Sequence, residues 1–446
     1  MSLRFPHPLT LLVGGILLAA LLTHLVPAGQ FDRRQDPATG RQVAVAGTYH
    51  TLPATPVGPF DTMAAIPRGI QSAAMVIAFV FLVGGAFSVV DRTGALRRIV
   101  ELLVRGLSHR PGLVIPVSCV LFGLAGVLMQ MQEEIIAFVP VLLLLSRRLG
   151  YDRLTSVGMS LGVSAVGAAF SPINPFQVGI AQKVAGLPLL SASGFRLAFL
   201  LPAVAIWAFF LYRHAARVQV APADEPASTP TAGGRRLDLI LLLVLATFAL
   251  FVYGVKALQW DFDQSAALFF TMGVLAGIIG GLGIEGTTEA FGHGFREMAL
   301  AALLIGFARG IFVVMDQGNI IDTVVQALFS PLATLPVVVS ALGMVGLQAL
   351  IHVPVPSTSG QAVLTLPVLV PLSDLLGLSR QVTVLAYQYG AGLCELITPT
   401  NGALMALLVA AGVRFEDWLR FVWRPLAVLY LVGALAVAGG VLLHVS

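Results

Sequence analysis

Apolar runs of about 18 to 25 residues recur from the first residues of this chain to the last, each long enough to cross a hydrocarbon layer of roughly 30 Å at 1.5 Å per residue. In lipid every backbone polar group must be satisfied internally, so runs of this length specify helices rather than barrel strands. The 446 residues are 57% hydrophobic and 11% charged, against roughly 45 to 50% and about 25% in soluble domains. The fold class is therefore an all-α polytopic membrane protein, with the lipid bilayer as its obligatory partner.

The formal charge of +4 comes almost wholly from arginine, since only Lys183 and Lys256 are lysines. The arginines sit in short groups beside apolar runs, a topology signal rather than a nucleic-acid footprint. Cys119 and Cys394 lie far apart inside apolar segments and read as buried, inert thiols. The first run, 9–26, follows Arg4 but is too long for a signal-peptide core and lacks a clear cleavage site, so it reads as a retained helix.

The groups Arg92, Arg97, Arg98, Arg105 and Arg110; Arg147, Arg148 and Arg153; Arg213, Arg217, Arg235 and Arg236; and Arg414, Arg420 and Arg424 are all assigned to the cytoplasm. The first two bracket one apolar region whose middle is the polar string 130–134, QMQEE. If both ends lie inside, that region enters and returns as a re-entrant hairpin, 111–149. Spans follow near 9–26, 70–90, 154–186, 195–212, 237–258, 264–282, 298–316, 380–412 and 418–444. The N-terminus is then cytoplasmic and the C-terminus periplasmic. Pro27 to Pro67 reads as an external loop, and 213–236 as a flexible cytoplasmic linker.

Sliding the chain over itself by 227 positions aligns Pro140–Asn174 with Pro367–Asn401 without a gap, with 11 of the 35 pairs identical. The coincident Pro140, Gly150, Arg153, Pro172 and Asn174 are not what shared apolar composition produces. Upstream, GAFSVVD at 85–91 matches GIFVVMD at 310–316. The first repeat occupies 1–212; an extra helix and the second repeat, with hairpin 331–376, occupy 237–446. In this topology the hairpins open from opposite sides, so the repeats are inverted, a pattern associated with secondary transporters. Each repeat also breaks a spanning helix, at 171–175 (SPINP, within 154–186) and 398–402 (TPTNG, within 380–412). Proline removes a donor and frees carbonyls of the preceding turn, so unwound backbone can face a cation or an anion. The plainer reading is a tolerated proline kink, weakened by its recurrence with Asn at equivalent positions.

Ionised groups at bilayer depth cost about 2.5 to 3.5 kcal/mol, so each needs a reason. Glu133 and Glu134 fall at the first tip and Glu395 one turn before the second break. They read as proton carriers, cation ligands or partners of a substrate ammonium, or simply as caps of a helix N-terminus. Glu134 aligns with Gln361. Ser357, Thr358 and Ser359 supply hydroxyls at the second tip. Arg309 reads more readily as paired or snorkelling than as a substrate ligand, Lys183 and His352 as interfacial, and His293 as part of a surface helix.

The segments LTHLVPAGQFDR, QEEIIAFVPVLLLLSRRLGYD, SPINPFQVGIAQKVAGLPL, GFARGIFVVMDQGNIIDT and PSTSGQAVLTLPVLVPLSDLLGLSRQ, with TPTNGALMA, resemble the YfcC-like branch of the C4-dicarboxylate anaerobic carrier (DcuC) family over nearly the whole chain. The resemblance implies a bacterial inner-membrane protein of the ion transporter superfamily, a homodimer with elevator-type movement of the hairpin-bearing domain. Carried over, the substrate site comprises Glu133, Glu134, Asn174, Ser357, Thr358, Ser359, Thr400 and Asn401. The ion-coupling site comprises Gln132, Glu134, Ser171, Asn174, Ser359, Thr398, Asn401 and Glu395. Sodium-coupled relatives carry Ser-Asn-Thr triplets at the tips, where this chain has MQEE and STSG.

The expected function is secondary active transport of a small charged organic solute, coupled to H+ or Na+ or by exchange, with no other cofactor. The acids lean toward a basic or other amino acid; a C4-dicarboxylate remains the alternative and a channel the alternative of another class. No nucleophile with an adjacent base, Walker loop or metal spacing points to an enzyme.

Overall fold

The computed structural model describes residues 7–35, 42–45, 47–95, 98, 113–218, 234–258 and 260–445. Arg97, Arg105 and Arg110, the first two residues of the expected hairpin 111–149, and the linker from 219 to 233 lie outside the described residues. Apart from four short strands the architecture of the described residues is helical, and six of their helices are long and apolar enough to cross a membrane.

Helix α1 (Pro8–Leu25) leads into a segment that is more structured than the expected loop. Strands β1 (Gly29–Gln30) and β4 (His50–Thr51) pair antiparallel with Gly29 opposite Thr51. Strands β2 (Arg33–Gln35) and β3 (Gln42–Ala44) pair with Arg33 opposite Ala44. Helix α2 (Pro59–Ser72) begins inside the stretch read as loop, because proline at the first helical position costs no hydrogen bond. Helix α3 (Ala74–Arg92) follows after Ala73.

Hairpin 1 is α4 (Val114–Met129) and α5 (Glu133–Leu149). The first broken helix runs through α6 (Arg153–Val157), a wide π-type turn, α7 (Val163–Ala169) and, beyond the break, α8 (Ile180–Val184). Then come α9 (Ser193–Arg217), α10 (Gly234–Ala257), α11 (Phe262–Gly280) and α12 (Gly283–Gln317). The last corrects the span expected at 298–316: it is one 35-residue rod, and His293 sits exposed on it beside Glu297 rather than on a separate surface helix. Helix α13 (Ile321–Phe329) precedes hairpin 2, formed by α14 (Val337–His352) and α15 (Thr358–Leu375). The second broken helix is α16 (Arg380–Cys394) and α17 (Gly402–Ala411), and α18 (Phe415–Leu442) closes the chain.

The aligned repeats share hydrogen bonds as well as letters. Ser156 bonds Ser146 between hairpin and broken helix, and Thr383 bonds Ser373 at the equivalent positions. Gly150 and Gly377 end the returning arms in left-handed conformation, where a side chain would be strained. A hydroxyl anchors the same tip carbonyl in each copy, Ser164 on Met131 O and Tyr387 on Thr358 O. The hairpin arms are 16 to 18 residues long, a rise of about 24 to 27 Å.

The hairpin bases sit at opposite ends of α18. The Arg153 guanidinium, just past hairpin 1, lies against Gly412, ahead of α18, whereas Ser379, just past hairpin 2, donates to Val445 O beyond its end. Arginines also gather: Arg92 pairs with Glu289 at 2.9 Å, Arg98 approaches Asp238 at 4.0 Å, and Arg236 lies beside Gly281. Deep between α9 and α16, fully buried Arg196 donates to Gln388 and Gln381 side chains and to Ser191 O.

Asp152 caps α6 by accepting from Thr155 N–H at 2.9 Å and meets His214 Nε2 at 3.1 Å. Burial opposes its ionisation, but the hydrogen bonds from His214 and Thr155 outweigh that and hold the carboxyl below its usual range. Its contribution is thus present above the unfolded carboxylate value of about 3.9 and is lost as pH falls through the lower folded value. Asp152→Ala is expected to lower stability by about 1 kcal/mol and to flatten the acid limb of thermal melts in detergent. Melts of equal midpoint and equal acid limb would refute the assignment.

Candidate functional site at the hairpin tips

Each tip is built by residues that stop one helix and start the next. Gln130 adopts a left-handed conformation (φ 53°) and donates its N–H to Gly126 O, ending α4. At the start of α5, Glu134 Oε2 accepts Gln132 N–H at 3.2 Å, satisfying the donor of the residue ahead of the helix. In hairpin 2, Ser357 caps α15 through its hydroxyl and Gly360 N–H. The breaks use Asn in the same way: Asn174 Oδ1 accepts from Phe176 and Gln177 N–H, and Asn401 Oδ1 from Leu404 N–H.

The two tips and the second break are joined side chain to side chain. Glu395 accepts from Gln130 Nε2 at 3.2 Å through Oε1 and from Gln132 Nε2 through Oε2. Gln130 Nε2 also donates to Thr358 Oγ1 at 2.7 Å, and Asn401 Nδ2 approaches Gln132 Oε1 at 3.3 Å. A carboxylate of the second repeat is thus held by the tip of the first.

Around this junction opens a cavity of about 830 Å³. It runs from Gln130–Glu134 and Ser357–Gly360, past Glu395 and Thr400–Ala403 and the α12 face carrying Ile305, Arg309 and Asp316, to Gln30 and Arg33 of the strand segment. At that end Arg33 binds Asp322 of α13 through both carboxylate oxygens, at 3.0 and 2.9 Å, and Phe31 N–H donates to the same group. Six lining residues are acidic (Glu133, Glu134, Asp261, Asp316, Asp322, Glu395) and two are cationic (Arg33, Arg309). Among the described residues Asp322 is salt-bridged to Arg33, whereas Arg309 has no salt bridge.

Of the residues expected to bind substrate or ion, Gln132, Glu133, Glu134, Ser357, Thr358, Ser359, Glu395, Thr400 and Asn401 line this cavity. Ser171, Asn174 and Thr398 do not. Ser171 Oγ donates to Val127 O and Asn174 Nδ2 to Gly126 O, so both side chains fasten hairpin 1 to the first break. Thr398 is spent on the Thr400 hydroxyl at 2.9 Å. For Ser171 and Asn174 the reason is local: the last carbonyls of α4, Gly126 O and Val127 O, have acceptor capacity left at the helix end, and these nearby donors fill it.

Two residues were read differently from the sequence. His352, expected at an interface, is fully buried at the hairpin 2 tip; its signal was a lone histidine in an apolar helix five residues before the hydroxyl string. Arg309, read as paired or snorkelling, lines the cavity from the last third of α12, close to Gly306 and Gly310. Cys119 and Cys394 are free and buried, as read.

A model of the C4-dicarboxylate anaerobic carrier family matches residues 5–442. An Escherichia coli (strain K12) protein described as "Putative basic amino acid antiporter YfcC" is 32% identical, covering 98% of this chain and 96% of its own length. A Haemophilus influenzae protein described as uncharacterized is 29% identical over 97% of this chain and 96% of its own. Among solved structures, the Alcanivorax borkumensis YdaH transporter aligns with a TM-score of 0.47 at 18% identity, covering 98% of this chain and 99% of that one.

Proposed function

Because the chain belongs to the C4-dicarboxylate anaerobic carrier family, a family of membrane transporters, we propose that it is a secondary carrier for a small organic cation of the basic amino acid class. The observation that carries the reading is the charge of the cavity: six carboxylates against two guanidiniums, with one of each already consumed by the Arg33–Asp322 pair. A dianion would meet uncompensated carboxylates in a site of low dielectric, whereas an ammonium or guanidinium would find charge-assisted acceptors. The description of the Escherichia coli relative agrees with this.

In this reading 1–212 and 237–446 are inverted repeats joined by a cytoplasmic linker. The hairpin bases at opposite ends of α18 support the inversion, and the gathered arginines support a cytoplasmic N-terminus and periplasmic C-terminus in an inner membrane. The hairpins and broken helices form the moving unit of an elevator-type homodimer, closing around solute by way of the Gln130–Thr358 and Glu395 contacts.

A dicarboxylate reading is favoured by the family description and by Arg309, whose guanidinium lines the cavity with no salt bridge among the described residues. Proteoliposomes decide between the two. Saturable counterflow of L-arginine or L-lysine exceeding that of succinate by at least about tenfold, equivalent to roughly 1.4 kcal/mol, is expected. Preference for succinate overturns the cation reading, and non-saturating flux without counterflow overturns the carrier.

A further inference from the structure

The geometry points to a second occupant of the same site, a single proton shared between Glu395 and His352, as the ion that exchanges with the organic solute; this rests on the carrier reading above. His352 is 0% and Glu395 6% exposed, and His352 Nε2 lies 3.9 Å from Glu395 Oε1. The neighbouring amides fix which ring nitrogen carries hydrogen. Gln361 Nε2 donates to Gln348 O at 2.7 Å and to Gln348 Oε1, so Gln361 Oε1 is the acceptor for His352 Nδ1 at 2.8 Å. In the neutral ring Nδ1 therefore bears the hydrogen, and Nε2, 3.9 Å from the carboxylate, is left as an acceptor.

That Nε2 is one of the few buried polar side-chain atoms with no hydrogen-bond partner among the described residues. A buried, unpartnered acceptor beside a buried carboxylate is costly unless something bridges them. One proton supplies the bridge. Carried by Glu395 as a carboxylic acid, it is directed at Nε2; transferred, the Glu395 O–H bond breaks as the His352 Nε2–H bond forms, leaving a carboxylate beside an imidazolium. Shortening the separation by about 1 Å brings the pair into hydrogen-bond range.

The surroundings favour a proton over a metal ion. The Glu395 oxygens already accept amide N–H groups from Gln130 and Gln132, so a sodium ion there would displace donors rather than meet oxygens. Among the described residues, the other titratable or charged groups near the pair are Glu133 and Glu134 on hairpin 1, Arg309 on α12 and the Cys394 thiol.

Exchange follows from charge. An ammonium or guanidinium in the cavity stabilises ionised Glu395 and expels the proton; return of the proton weakens the cation's hold by the same factor, since coupling free energies are reciprocal. Because Glu395 is held by the hairpin 1 tip and faces His352 on the hairpin 2 tip, both tips register its state.

Infrared pH-difference spectra of the detergent-solubilised protein, recorded without solute, test the proton site. One component of the carboxylic acid C=O absorption, alongside those of Glu133 and Glu134, is expected in wild type, lost in Glu395→Gln, and displaced by about one pH unit or more in His352→Gln. Sodium chloride in place of potassium chloride should leave it unmoved. A C=O spectrum unchanged by Glu395→Gln, a midpoint of that component identical in His352→Gln, or its titration by sodium overturns the proposal, and Glu395→Asp, whose component should persist with a changed midpoint, guards against loss of folding. With L-arginine added in weak buffer, about one proton should be released per arginine bound. Arginine binding without release overturns the coupling, whereas failure of arginine to bind overturns only the substrate reading.

Discussion

Glu133→Gln is expected to reduce counterflow of a basic amino acid about 10- to 100-fold in kcat/KM without lowering the yield of folded protein. Glu133 stands in the first turn of α5, where the helix N-terminus favours its charge, and it lines the cavity. A hydrogen bond to a charged group contributes about 1.5 to 3 kcal/mol, which is 10-fold or more at roughly 1.4 kcal/mol per decade. Glutamine keeps the size and the acceptor oxygen, so loss of the charge is what the experiment reads. Glu134→Gln is the informative companion: it too removes a charge but retains an acceptor for the Gln132 N–H, the cap that shapes the tip. If arginine flux is unchanged in Glu133→Gln, or if succinate flux falls more than arginine flux, the acidic face of the cavity does not select the solute.

A second large effect is expected far from any charge. Gly126 of α4 packs directly on the Ser164 carbonyl oxygen of α7, while Gly167 of α7 packs on the Gly123 carbonyl oxygen of α4. A side chain at Gly126 would overlap a backbone atom, which no rotamer change relieves. The same crossing is sewn by Asn174 Nδ2 on Gly126 O, Ser171 Oγ on Val127 O and Ser164 Oγ on Met131 O, so it cannot open without leaving buried polar groups unpaired. Gly126→Val is therefore expected to cost about 3 kcal/mol or more, a large part of the stability of a typical protein. Gel filtration should show loss of the monodisperse species. Gly123→Ala is the control, because a Cβ there meets only Val163 Cγ2 at 3.6 Å, an ordinary contact. Equal behaviour of the two variants would mean that hairpin 1 is not locked to the broken helix as described.

The parts of this architecture that were legible in the sequence depend on distance along the chain. Run length against bilayer thickness announced the helices; proline with asparagine at 172–174 and 399–401 announced the breaks; the offset of 227 paired Ser146 with Ser373 before their matching hydrogen bonds were visible. The external segment was misread over 59–67 because proline, taken there as a loop marker, is equally at home at a helix start.

The sequence by itself thus determined the class of molecule and marked a repeated pattern with two tips and two breaks, since those follow from apolar length, proline geometry and repetition. Tertiary structure alone decided which polar side chains face the cavity. Thr400 and Asn401 line it while their counterparts Ile173 and Asn174 do not; His352 is buried beside Glu395; and Arg33 finds Asp322 across 289 positions. The physical reason is that a side chain at an unwound segment turns toward whichever neighbouring backbone groups packing has left unpaired, and the two copies, though alike in pattern, meet different neighbours.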